Sequence, residues 1–216
     1  MSPVMWGVDS AAVADAELLT SVKRQYGSPD FWGRYLSTVQ DASEGLTAAE
    51  IRFLKSNGIK ILPIFNNFRE AVGKRNGIVA AQNAIFHAKR LGIRKGTVLF
   101  ANIEKFLEVD AHWIIGWVEA IFGSGYRPGF YNDPVTGNFN TAYCQAAAES
   151  SMVKNQSIIW SAEPETGITN KRNAPRFKPK KPNCPSNVWA WQYGRNSRTC
   201  PLDTVLVDQK LFNLLH

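Results

Sequence analysis

Short apolar runs alternate along the chain with longer segments of helical period. VMWGVD (4–9) precedes a helical pattern over 11–25, and FWGRYL (31–36) precedes LTAAEIRFLKSNG (46–58). In that segment Thr47 and Glu50 have the spacing of a capping box, and Gly58 supplies a C-terminal stop. IKILPIF (59–65) precedes a helix near 76–91, with alanines at 80, 81, 84 and 88 and a second glycine stop at Gly92. TVLFANIE (97–104) leads to a helix near 110–122 that carries Trp113, Ile114, Trp117 and Ile121 on one stripe. YRPGFYN (126–132) leads to a helix near 139–153. From there the rhythm changes: QSIIWSAEP (156–164), VWAWQYG (188–194) and TVLVDQKLF (204–212) read as strands, and the segments between them lack a helical period.

Strand–helix alternation implies right-handed parallel crossovers. Five strand–helix units followed by three strands predict an α/β fold, a TIM-like (β/α)8 barrel of the (β/α)5(β)3 kind with its late helices missing and all strands parallel. A doubly wound open sheet satisfies the same alternation, but no GxGxxG fingerprint supports it. The 216 residues contain no Gly/Ser-rich linker and no solenoid repeat, so one domain spanning 1–216 is expected.

Composition narrows the chemistry. No stretch approaches the ~20 apolar residues that span a bilayer. The start, MSPVMWGVDS, lacks a basic leader region, which gives a cytoplasmic expectation, with access to the envelope by lysis or non-classical release. Cys144, Cys184 and Cys200 are an odd set without CxxC spacing, so zinc is not expected and reduced thiols are the default. His87, His112 and His216 fall on helices or at the chain end and assemble neither a triad nor a metal cage; no metal or cofactor is implied. The net charge of +7 favours a polyanionic neighbour. Much of it lies in loop 171–181, through Lys171, Arg172, Arg176, Lys178, Lys180 and Lys181. Solvation alone accounts for such a loop, and no nucleic-acid motif accompanies it, so no specific nucleic acid is expected.

In a parallel barrel, chemistry gathers at the carboxyl ends of the strands. Asp9 ends the first strand, Glu104 the fourth, and Asp208 lies in the eighth. Side chains alternate along a strand, so Asn102 and Glu104 share the inward face above Val98 and Phe100, while Leu99, Ala101 and Ile103 face the helices. A carboxylate capping an apolar strand is costly unless wet, paired or functional, although any one of the three could be a helix cap. Trp6, Tyr131, Trp160, Trp189, Trp191 and Tyr193 are the rim aromatics. Rings beside acids suit sugars, but packing accounts for at least half of them.

The ordered set WGVDS, acid-x-Glu ending strand four, FYN, WSA, WQYG and VDQKLF resembles the glycoside hydrolase family 25 lysozymes. GVDS, LGIRKGTVLFANIE and GYRPGFYND are more similar to the related glycoside-hydrolase-like domain of unknown function 1906. The resemblance implies a (β/α)5(β)3 barrel cleaving N-acetylated wall polysaccharide such as peptidoglycan. Glu104 would be the general acid, Asp9 and Asp208 would shape the site, and Tyr131, Trp160, Gln192, Asn66 and Trp191 would contact substrate. Asn102 departs from the lysozyme pattern, which has Asp there. An amide cannot form a covalent glycosyl intermediate. Substrate-assisted hydrolysis, slowed hydrolysis and a carbohydrate-binding module without turnover therefore all stay open. Loop 171–181 would face anionic wall polymers.

Overall fold

The computed structural model describes residues 3–216. Its strands are β1 (Val4–Asp9), β2 (Phe31–Tyr35), β3 (Lys60–Phe65), β4 (Val98–Asn102), β5 (Arg127–Asn132), β6 (Ile158–Ser161), β7 (Asn187–Gly194) and β8 (Asp203–Asp208). The helices are α1 (Ala16–Gln25), α2 (Ala48–Ser56), α3 (Lys74–Arg90), α4 (Ala111–Gly123), α5 (Phe139–Glu149), α6 (Ser151–Gln156) and α7 (Gln209–Phe212). The strands close into a barrel in chain order. No helix among the described residues is long and apolar enough to cross a membrane.

The expectation that all strands run parallel is corrected at β8, which is antiparallel to both β7 and β1. Only residues 195–202 join β7 to β8, and a parallel return needs a crossover of roughly a dozen residues or more. A short link therefore turns the chain back on itself. The expected strand over 204–212 also ends at Asp208, where the Asp208 side chain accepts from the Lys210 N–H and starts α7. Two helices differ in extent as well. The first begins at Ala16 behind its Asp15 cap, and the pattern over 139–153 divides at Ser150 into α5 and α6.

Alternation along the strands sorts the core into two shells. Phe31, Leu62, Ile64, Val98, Phe100, Ile158, Trp160, Ala190, Val205 and Val207 fill the barrel. Leu99, Ala101 and Ile103 face outward and pack with Trp113, Ile114 and Trp117 of α4. The expected capping box forms only in half: Thr47 accepts from the Glu50 N–H, but the Glu50 carboxylate turns away. It takes Arg34 Nε at 2.6 Å and the Ala14 N–H at 2.8 Å, both buried. Arg34 in turn donates to the carbonyls of Ser10 and Glu44, fastening the loops after β1 and β2 to α2.

Among the described residues no α-helix lies between β6 and β7 or between β7 and β8. The connection 162–186 straps across β7, β8 and β1 instead. Trp191 Nε1 donates to the Pro164 carbonyl, Thr169 and Tyr193 share a hydroxyl contact of 3.0 Å, and Phe177 lies edge-on to Trp191. Lys171 pairs with Asp30 at 2.8 Å. The reduced-thiol expectation is overturned here, because Cys144 of α5 and Cys184 of the strap form a disulfide while Cys200 stays free and buried. Strand positions and charge do not reveal that α5 passes the end of a long irregular connection.

Candidate active site

The mouth at the carboxyl ends of β1–β7 gathers carboxylates from three elements. Asp9 ends β1, and its cross-strand partner in the antiparallel pair is Asp203, the first residue of β8. Gln192 of β7 lies between them: its Nε2 reaches Asp203 Oδ2 at 2.6 Å and Asp9 Oδ2 at 3.4 Å. Gln192 Oε1 accepts from the Tyr131 hydroxyl at 2.5 Å, so one amide joins two acids to a phenol. Glu104 stands just past β4, half-buried, and accepts from Asn102 Nδ2 at 3.2 Å. Tyr35 of β2 completes the wall beside Asp9 and Asp203.

Electrostatics tie these groups into one site. Burial pushes Asp9 well above the usual carboxylate range, and the charges of Asp203 and Glu104 push the same way, against Arg195 and the Gln192 hydrogen bond. Asp203 is also raised, first by burial, with the Asn196 N–H and Arg195 opposing. Two acids sharing one amide in a dry wall hold on to a proton as a pair. Burial and the same anions raise Tyr35 and Tyr131, keeping both phenols neutral as hydrogen-bond donors.

A cavity of about 400 Å³ lies over the pair, lined by Asp9, Ser10, Tyr35, Asn196, Leu202 and Asp203. It shares Ala11 and Ala12 with a second hollow of about 390 Å³ under the loop 38–44. The larger cavity, about 630 Å³, is on the outer face between β1, β8 and the strap, remote from Glu104. The convergent acids are at the mouth and not at this larger cavity.

Of the residues proposed from sequence, Asp9, Asn102, Glu104, Tyr131 and Gln192 come together at the mouth. Asp208 does not. With β8 reversed it pairs with Val4 at the opposite end of the barrel and caps α7. Asp203 occupies the position expected of it. Trp191 is corrected too: it faces outward, in contact with Phe177 and Tyr193. Trp160 is inside but beneath the site, edge-on to Tyr131 at 5.0 Å and to Phe100 at 5.5 Å, forming a floor. Asn66 stands at the rim, where its amide donates to Ser43 Oγ at 3.0 Å and braces the loop after β2.

Sequence reasoning missed Asp203, Tyr35, Arg195 and Phe106. Tyr35 carried a signal, since it shares inward parity with Phe31 and Gly33 at the end of β2. Phe106, two residues past Glu104, is an apolar ring that is 78% exposed.

The fold has counterparts among solved structures. An uncharacterized B. stearothermophilus protein is 53% identical over 98% of this chain and 100% of its own, with a TM-score of 0.97. A muramidase from Acremonium alcalophilum shares the fold at 14% identity and a TM-score of 0.60, covering 97% of this chain and 98% of that one. The modular autolysin LytC from Streptococcus pneumoniae, solved with a synthetic peptidoglycan ligand, matches at 12% identity and a TM-score of 0.57, over 94% of this chain and 46% of LytC. No curated protein matches the sequence. The model of the Rv2525c-like, glycoside hydrolase-like domain matches residues 28–197, and the chain belongs to that family.

Proposed function

We propose that this barrel hydrolyses N-acetylated cell-wall polysaccharide of the peptidoglycan kind, with the substrate's own acetamide as nucleophile. One observation carries the reading. Glu104 faces the Asp9–Asp203 pair across the mouth, and the residue two positions before it is an amide bonded to its carboxylate. Asn102 cannot attack the anomeric carbon. By donating Nδ2 to Glu104 it keeps Oδ1 as an acceptor for the acetamide N–H, which aims the acetamide oxygen at that carbon. Glu104 protonates the leaving glycosidic oxygen as the acetamide oxygen bonds to the anomeric carbon, closing an oxazolinium ring that keeps its N–H on Asn102 Oδ1. Water then opens the ring, returning its proton to Glu104. Asp9, Asp203, Gln192 and Tyr131 hydrogen-bond the sugar hydroxyls. Arg172, Lys178, Lys180 and Lys181 on the strap are exposed and give an anionic wall polymer a place to bind.

The test is release of new reducing ends from purified peptidoglycan. Glu104→Gln is expected to lower it by about 100-fold or more, the usual weight of a general acid. Unchanged release in that variant removes Glu104 from the role. A second reading, a wall-binding module without turnover, draws on the absence of a charged nucleophile at position 102. Wall binding with no reducing ends, insensitive to Glu104→Gln, would favour it.

A further inference from the structure

Arg195 has no part in the scheme above, yet it is the cation whose field falls on Asp9, Asp203, Glu104 and Tyr131 together. It leaves β7 just after Gly194, and the base of its side chain is held from two sides. Gly194 packs so closely on the strap that a Cβ there would come 2.6 Å from the Gly167 carbonyl carbon and from the Ile168 nitrogen. On the other side Asn196, at φ 55°, gives its N–H to Asp203 Oδ1 at 2.6 Å.

The far end is not held in the same way. Among the described residues its ionic partner is Glu165, 3.1 Å from Nε, and Nε itself is buried and makes no hydrogen bond because that oxygen lies off the N–H axis. The guanidinium edge bearing the two Nη atoms has no protein acceptor among the described residues, and the side chain is 20% exposed. A planar fork of donors, anchored at its base and open at its tip, fits a carboxylate in two-point contact. The mouth also needs such a group if its ligand is acidic. Asp9, Glu104 and Asp203 line it, and Glu163 and Glu165 stand on the strap nearby, so an anionic sugar would otherwise be repelled.

We propose that Arg195 is a specificity residue that binds a carboxylate carried by the sugar in the Glu104 site, selecting an acidic N-acetylated glycan over a neutral one of the same backbone. The inference rests on the glycan reading above. It differs from the simpler role of neutralising the Asp9–Asp203 pair, which would move a pH profile but not a preference between ligands.

The experiment is calorimetric titration of the full chain carrying Glu104→Gln, so that the ligand survives. The ligands are a peptide-free tetrasaccharide of alternating N-acetylglucosamine and N-acetylmuramic acid, and the same compound with its carboxyls reduced to alcohols. The acidic ligand is expected to bind about tenfold or more tighter, the worth of a charge-assisted pair. Adding Arg195→Gln should bring the two ligands within about twofold by weakening only the acidic one, and Arg195→Lys should restore part of the preference. Glu165→Gln, which frees the guanidinium and leaves Arg195 in place, should widen the preference; it decides the matter if Arg195→Gln does not fold. Equal binding of both ligands before Arg195 is changed, a preference that survives Arg195→Gln, or equal loss of both ligands would overturn the inference while leaving the glycan reading standing. Failure to bind either ligand would overturn both.

Discussion

Asp9 shows how much of the site is decided by the surroundings of single side chains. As the acid ending an apolar strand it was legible in the sequence, and so was Glu104. Its charge state was not, because that depends first on burial in the closed barrel and then on Asp203, brought across from almost the other end of the chain. The pH consequence has a definite sign. The folded chain holds the Asp9 proton to higher pH than the unfolded chain, whose carboxyl has its ordinary value of 3.8. Its contribution to stability is therefore complete below that value and is lost as pH rises through the folded pKa. Asp9→Asn removes the loss, so it should melt higher than the parent at pH 8, with the gap closing toward pH 4. Each unit of the shift is about 1.4 kcal/mol, and each kcal/mol is about 2–4 °C at this chain length. Melting curves across that range check it, and a gap that widens at low pH would contradict it. The same variant should lose activity, separating stability from function at one residue. Phe106→Ala is expected to weaken glycan binding while leaving the melting temperature within about 1 °C, as exposed positions contribute little to stability.

At the scale of elements, local pattern was a good guide where an element depends on its own residues. Asp110 caps α4 by accepting from the Trp113 N–H, and the Trp113–Trp117 stripe packs as its spacing indicated. The pattern misled where an element is fixed by a neighbour. Glu50 has capping-box spacing but serves Arg34, because a guanidinium buried at 0% exposure requires an anion more than an open helix end does. Glu50→Ala should thus cost far more than a lost cap, about 3–5 kcal/mol by urea denaturation, since it leaves the Arg34 charge buried without its partner. The α3–α4 crossing is also invisible locally. A Cβ on Gly77 would come 2.2 Å from the Trp113 carbonyl oxygen, and one on Gly116 would come 2.3 Å from that of Lys74. Gly77→Ala, favourable by helix propensity, is expected to destabilise the protein by prying these helices apart.

At the scale of the whole molecule the problem is how to cover a barrel whose β6–β7 and β7–β8 connections carry no α-helix among the described residues. The strap 162–186 seals that side with Phe177 against Trp191 and is tied to α5 by Cys144–Cys184. The two cysteines lie 40 residues apart, and closing such a loop in the unfolded chain is worth about 2–4 kcal/mol. Denatured without reductant, the protein should show one reactive thiol, Cys200, among its three cysteines. Reduction should lower its melting temperature. Three reactive thiols would show that the bond does not form.

The sequence by itself determined the strand–helix alternation, the inward parity of Asn102 and Glu104, and the (β/α)5(β)3 architecture. Those features follow from periodicity, which is written in neighbouring residues. Only the tertiary structure decided that β8 runs backward, that Asp203 and not Asp208 faces Asp9, and that Cys144 meets Cys184. Each of these depends on which distant segments become neighbours when the ring closes, and no local period encodes that.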